Sequence, residues 1–267
     1  MQPNGVPFTV PKTEFRRLLS VEQGTWNARR NLGRGLAQFH LLPEYGRNKI
    51  NPIAIVGGGP SLKSRIEELR GFRTIMACAS AHDFLIEHDI YPRYALVLDP
   101  VGSVNLNYFS WRQDSCTYLV ASHVNPDVLA HFEAYPVALW HAAGEIKKNI
   151  RAPQIIGGIT AILRAQFIAL HLGYTKHHYF GVDSCFTESG ESHAYDVNEP
   201  LSTPVQITVT NGRTFTSTEM WVEQAKQFFD GIAATQGAFH STIHGDGLIP
   251  EMLRCGNPRF HEVMTVT

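Results

Sequence analysis

Three consecutive glycines, Gly57, Gly58 and Gly59, followed by Pro60 and Ser61, are the first residues of this chain whose type and spacing suit chemistry. Glycine has no Cβ, so its backbone can approach a ligand closely and take positive φ. The run lies between an apolar, β-branched segment (Ile53-Ala54-Ile55-Val56) and a helical pattern carried by Leu62, Ile66 and Leu69. A helix that starts there offers unpaired N–H groups and the positive end of its dipole, which suits a phosphate. Ser61 adds a hydroxyl. The spacing is neither G-x-G-x-x-G nor a Walker A loop. The run reads as a nucleotide-phosphate loop, and a tight turn without ligand is the alternative.

Three further groups of residues complete the candidate chemistry. Asp99 and Asp183 each directly follow an apolar strand pattern, so in a parallel sheet both reach the carboxyl-end rim beside the glycine loop. Magnesium on a nucleotide takes one or two carboxylates plus phosphate oxygens and waters, which makes these two the metal candidates. The alternative is that each caps a following turn. His193, in Ser192-His193-Ala194-Tyr195, is a candidate general base toward an acceptor hydroxyl, with Asp183 as a second catalytic candidate. A surface loop histidine is the bland alternative. Gly157-Gly158-Ile159-Thr160 precedes a strong helical pattern, so Gly158 and Thr160 are candidates for a second helix-terminus anion site, or for close packing of that helix.

These residues need elements to hold them. Strands are expected at Ile53–Val56, Thr74–Cys78, Tyr94–Leu98, Thr117–Val120, Val137–Trp140 and His178–Val182. Helices are expected after Pro60, over Ala81–Glu87, and from Ile159 to a Gly173 cap. Strands alternating with helices imply an α/β, doubly wound, mainly parallel sheet. Val205, Ile207 and Val209 alternate with polar residues before Asn211-Gly212, which predicts a β-hairpin with a type I′ turn. Thr216-Ser217-Thr218-Glu219 predicts a capping box opening a helix through Ile232, and Phe239–Ile243 a last short strand. Residues 1–50 read as an arginine-rich, helical N-terminal arm or cap, and residues 51–267 as the main domain.

Composition narrows the partners. Of 267 residues, 43% are hydrophobic and 18% charged, which suits a chain that buries a core, and the net charge of −1 supplies no global field for nucleic acid or an anionic membrane. No apolar run reaches membrane-span length and no secretory pattern opens the chain. Cys78, Cys116, Cys185 and Cys255 form no CxxC pair, which reads as free thiols in a reducing, cytoplasmic compartment, a phage-infected host included. The implied partners are a small nucleotide and a hydroxyl acceptor. A homo-oligomer stays open.

The order of these motifs resembles the MptE-like family, the 6-hydroxymethylpterin diphosphokinase-like proteins. The matching stretches are Ile55–Leu62 (IVGGGPSL), Tyr91–Pro100 (YPRYALVLDP), Gly157–Gly173, Tyr179–Tyr195 (YFGVD, then SHAY) and Val209–Thr218. The resemblance implies a Rossmann-like domain and transfer of diphosphate from Mg-ATP to a hydroxyl such as that of a hydroxymethylpterin. It also implies phosphates held by Gly57, Gly58, Gly59 and Ser61, and Mg2+ held by Asp99 and Asp183. The same order is similar to that of bacterial sialyltransferases and related flagellin glycosyltransferases. That likeness implies a CMP-sugar donor, its phosphate on the glycine loop, and His193 as the base. A non-catalytic nucleotide-binding or assembly protein is the third reading.

Overall fold

The structure, a computed structural model, describes residues 19–100, 107–147, 152–196, 203–256 and 264–267. Its strands are β1 (Ala37–Gln38), β2 (Ile53–Val56), β3 (Ile75–Cys78), β4 (Tyr94–Val97), β5 (Thr117–Ala121), β6 (Val137–Ala142), β7 (Gln154–Ile155), β8 (Lys176–Phe180), β9 (Pro204–Thr208), β10 (Thr214–Thr218), β11 (His240–His244) and β12 (Met264–Val266). The helices are α1 (Val21–Leu32), α2 (Leu62–Arg65, continued as a 3-10 turn to Gly71), α3 (Ala81–Glu87), α4 (Pro126–Ala130), α5 (Ala161–His171), α6 (Glu219–Ala234) and α7 (Leu248–Arg254). Ten strands form one parallel sheet in the order β1-β6-β5-β4-β3-β2-β8-β11-β12, with β7 paired to β6. Strands β2, β3, β4 and β6 are buried at every position, so they read in sequence as continuous apolar runs rather than alternations.

The topology turns at β2. From β2 the chain runs outward through β3, β4, β5 and β6, then returns to lay β8 on the other side of β2. The crevice at the carboxyl ends of β2 and β8 is therefore the switch point of the sheet, where open α/β folds bind ligands. Helix α5 lies across this region with Ile162 through Ala169 buried. It ends in a Schellman motif, as the Gly173 position implies: Gly173 N–H donates to Leu170 O (2.8 Å) and Tyr174 N–H to Ala169 O (3.0 Å), with Gly173 at φ +88°.

Two local expectations are corrected. The hairpin turn is not type I′, which needs positive φ at both central residues. Here Gly212 has φ +88° and Asn211 does not share it; Gly212 N–H donates to Val209 O and Val209 N–H to Arg213 O, both at 2.9 Å, around a three-residue loop. The Asn211 side chain accepts from Arg213 N–H (3.1 Å) and donates to Glu251 (2.6 Å), which fixes that geometry. The capping box is also displaced. Strand pairing with β9 runs on through Thr218, so Thr218, not Thr216, is the N-cap and accepts from Trp221 N–H at 3.2 Å.

The arginine-rich segment contributes α1 and β1, and β1 pairs with β6 at the sheet edge. Helix α1 docks through a polar face: Asn27 donates to His123 O, and Asn31 to Ser122 O and Val124 O, each at 2.9 Å. Arg30 lies over the Trp26 ring and Arg34 pairs with Glu133, while Arg16 and Arg17 fall outside the described residues. All four cysteines are free thiols. Among the described residues no helix is long and apolar enough to cross a membrane.

Several histidines are part of the core. His177 stacks on Phe239 and bonds Tyr174 O at 2.9 Å; burial lowers its pKa to about 3, and that of His123 and His141 to about 4. All three are neutral in the folded chain and protonate more readily once unfolded, near the ordinary 6.5. Their stability contribution is thus complete above pH 6.5 and is lost as pH falls from there toward 4. Thermal melts between pH 7 and 4 should show a falling Tm, and His177→Gln should flatten that slope by up to about 1.4 kcal/mol per pH unit.

Candidate functional site

The turns after β2 and β8 meet through their backbones. Gly57 N–H donates to Phe180 O and Gly59 N–H to Gly181 O, both at 2.8 Å. A Cβ on Gly57 would lie 2.6 Å from the Gly181 carbonyl oxygen, and one on Gly59 2.8 Å from the same oxygen and against the Asp183 carboxylate. Positive φ is not the reason for the run, because none of the three glycines has it. Gly57 and Gly59 are glycines so that two turns can touch, a requirement that sequence alone does not separate from ligand approach.

This contact changes the expected phosphate cradle. The N–H groups of Gly57, Gly59 and Ser61 are already bonded, the last to Asp183 Oδ2 at 2.8 Å, and Pro60 has none. Helix α2 is a single turn whose first N–H groups turn back to the loop: Leu62 donates to Gly59 O (3.1 Å) and Lys63 to Pro60 O (3.2 Å). Of the five loop residues, Gly57, Gly58 and Gly59 line the cleft, whereas Pro60 and Ser61 do not.

That cleft holds about 210 Å³ and gathers several elements. The glycine loop forms one side, with Cys78, Ala79 and Ser80 at the end of β3 beside it. Thr160, Ala161 and Ile162 at the start of α5 form another. Gly181, Val182, Ser184 and Cys185 follow β8, and Ser192 and His193 come from the succeeding segment. Trp221 and Gln224 come from α6. Ala79 and Ser184 are non-glycine residues at φ +41° and +54°, the kind of backbone strain that gathers at functional sites. Ser184 is held there by Ser217 Oγ on its carbonyl and Gln224 Nε2 on its hydroxyl, both at 2.8 Å. Burial pushes the Cys185 thiol up to about 12, so it is a neutral wall rather than a thiolate.

The sequence candidates divide accordingly. His193 lies on the cleft: Ala194 N–H donates to Gly58 O at 3.0 Å, which straps the segment across the loop, and His193 Nδ1 bonds Ser192 Oγ at 3.0 Å. Thr160 is also there. It is the N-cap of α5 with no capping bond from its side chain, and its buried Oγ1 meets no partner among the described residues. The first turn of α5 carries no acidic residue, so the positive end of its dipole faces the cleft uncompensated. Gly158 is one step back, packed against Leu163 and Gln227, and does not line the cleft.

Asp183 lies beneath the loop, 2% exposed and enclosed by Gly59, Gly245 and Gly247. Burial pushes its carboxyl above the ordinary range, against the lowering effect of the Ser61 hydroxyl and N–H. Asp99 follows β4, two strands from β2, and does not line the cleft. Among the described residues no group of three His, Cys, Asp or Glu side chains could hold a metal ion, and the cleft lining contains no lysine, arginine or carboxylate. Sequence reasoning missed Ala79, Ser80, Ser184, Trp221 and Gln224. Their only local signals are their positions just past a strand or just inside a helix.

The sequence model for 6-hydroxymethylpterin diphosphokinase MptE-like proteins matches residues 27–189. No curated protein matches the chain at a significant level. Among solved structures the chain is similar to the MAf glycosyltransferase from Magnetospirillum magneticum AMB-1, with 19% identity and a TM-score of 0.65 over 87% of this chain and 38% of that one. That likeness shows a shared fold, and the chain spans well under half of the glycosyltransferase's length. A mammalian sialyltransferase in complex with Gal-beta-1-3GalNAc-ortho-nitrophenol matches at 11% identity and TM-score 0.41, covering 91% of each chain. The sialyltransferase CstII from Campylobacter jejuni, in complex with the substrate analogue cytidine-5'-monophosphate, matches at 13% and 0.28, covering 74% and 81%.

The different jobs of the glycines are separable. Gly59→Ala drives a methyl into backbone and should lower stability by several kcal/mol or prevent folding. Gly58→Ala meets the Tyr195 and His193 side chains rather than backbone, so it should cost less stability than Gly59→Ala and impair ligand binding. Asp183→Asn keeps an acceptor for Ser61 N–H. The raised Asp183 pKa means its stabilising form is complete below the ordinary value and is lost as pH rises through the folded value. Asp183→Asn should therefore match or exceed the wild type in thermal melts at pH 7, while Asp183→Ala should lose about 1–3 kcal/mol.

Proposed function

This chain belongs to the MptE-like family, and on that premise we propose that it is a transferase using a nucleotide-linked donor with a single phosphate, a sugar nucleotide of the CMP-sugar type. The observation that carries this reading is the donor set of the cleft. Backbone and hydroxyl donors at the start of α5, the uncompensated helix dipole and one histidine line it, with no side-chain cation or carboxylate among the described residues. Such a set suits one phosphate. A triphosphate needs metal and basic side chains to spread its charge.

In this reading the acceptor hydroxyl oxygen attacks the anomeric carbon of the donor. The bond from that carbon to the phosphate oxygen breaks, and its electron pair leaves with the nucleoside monophosphate. His193 takes the proton from the attacking hydroxyl. Thr160 and the first N–H groups of α5 hold the phosphate as its charge grows, a preorganised arrangement that costs no reorganisation during the step. Ser192, on His193 Nδ1, keeps the ring turned.

The likeness to 6-hydroxymethylpterin diphosphokinases favours a second reading, which we take as diphosphate transfer from Mg-ATP to a hydroxyl acceptor such as a hydroxymethylpterin. Magnesium at such a site asks for a carboxylate. Asp183, buried and bonded to Ser61, and Asp99, off the lining, do not fit that role on the described residues, so no step is routed through a metal.

Thermal-shift measurements with CMP, CMP-sugar and ATP, each with and without magnesium, separate the two. The expected result is stabilisation by CMP without magnesium, together with slow CMP-sugar hydrolysis that His193→Ala lowers by about 10²–10⁴-fold while sparing CMP binding. Stabilisation by ATP that requires magnesium would move the assignment to the second reading. No shift with any nucleotide would overturn both.

A further inference from the structure

Trp221 is left over once the phosphate and the base of the reaction have been assigned. It is the one Phe, Tyr or Trp among the described residues lining the cleft. It sits in the first turn of α6, where the Thr218 cap bonds its own N–H at 3.2 Å. Its indole rests on Phe186 (ring centroids 4.8 Å, planes at 56°) and lies 6.2 Å from the His193 ring, so His193 stands between it and the glycine loop. One turn on, Gln224 ties α6 to the strained Ser184 turn at 2.8 Å, which fixes the indole relative to the cleft floor. Trp221 is only half-buried, although the core residues on the same helix (Val222, Ala225, Phe228, Phe229 and Ile232) are buried. An aromatic ring braced from behind and left open toward a polar cleft is a stacking surface.

We propose that Trp221 is the platform on which the nucleobase of the donor stacks, so that affinity for the nucleotide comes from the base as well as from the phosphate. The proposal rests on the single-phosphate nucleotide reading of the same cleft. Stacking of a base on an aromatic side chain tolerates any base, since every base has a π-face, and it is the term lost on truncation to alanine.

The test compares CMP with ribose 5-phosphate by isothermal titration on the wild type, Trp221→Ala and Trp221→Phe. The wild type is expected to bind CMP more tightly than ribose 5-phosphate. Trp221→Ala is expected to weaken CMP binding by at least about fivefold and to leave ribose 5-phosphate binding unchanged, which also shows that the variant is folded. Trp221→Phe should restore most of the CMP affinity. Equal CMP affinity in wild type and Trp221→Ala overturns the platform, as does a wild type that binds CMP no better than ribose 5-phosphate. A wild type that binds neither ligand removes the phosphate-cleft reading itself, an outcome distinct from the others.

Discussion

The backbone contact between the turn after β2 and the turn after β8 is the constraint on which the site depends. Two N–H groups, of Gly57 and Gly59, are satisfied by the carbonyls of Phe180 and Gly181 at 2.8 Å. Either one left unpaired in this buried place would cost about 1–3 kcal/mol. Neither bond can form with a Cβ in the way, so glycine is required on both sides of the contact. Asp183 completes it from below by accepting Ser61 N–H, enclosed by Gly59 itself and by Gly245 and Gly247. The carboxylate is thus part of the frame that shapes the loop.

Because the N–H groups of Gly57, Gly59 and Ser61 are spent on that frame, the proposed reading places the anion on the neighbouring element. Helix α5 begins at the cleft with Thr160 and no acidic residue in its first turn. Its dipole and first N–H groups supply positive potential at the cleft. The Schellman cap at Gly173 and the packing of Ile162 through Ala169 fix the far end of the same helix. The cost of the strained Ala79 and Ser184 backbones, about 1–3 kcal/mol each, is offset locally by Ala79 N–H on Leu96 O at 3.0 Å and by the Ser217 and Gln224 bonds to Ser184. Both strained residues line the cleft together with Trp221 and His193.

The polar residues away from the cleft serve the fold by the same logic of satisfaction. Asn27 and Asn31 meet the carbonyls beyond β5 and bind α1 there. Glu251, 5% exposed, gathers Arg213, Arg254 and Asn211, which fastens the hairpin to α7. That fastening positions β10, and β10 in turn delivers the cap and first turn of α6 to the cleft.

The order of strands and helices was legible in the sequence because each parallel strand is buried on both faces and appears as an unbroken apolar run such as Ile53–Val56. The glycine run, Thr160 and His193 were legible as candidates because they lie at strand or helix ends or in a polar loop, where ligand sites of this fold class lie. What only the tertiary structure decided is which polar groups are already spent. Ser61 N–H and Asp183 look available in the sequence and are bonded to each other across 122 residues. The hairpin turn and the α6 cap lie one or two residues from where the local pattern puts them, since strand pairing and the Asn211 side chain, not local propensity, set them. Trp221 and Gln224 carry no motif at all; only the docking of α6 on the Ser184 turn brings them to the cleft. Local pattern determines where a chain bends and what it buries, whereas hydrogen bonds between distant segments determine which atoms remain to meet a ligand.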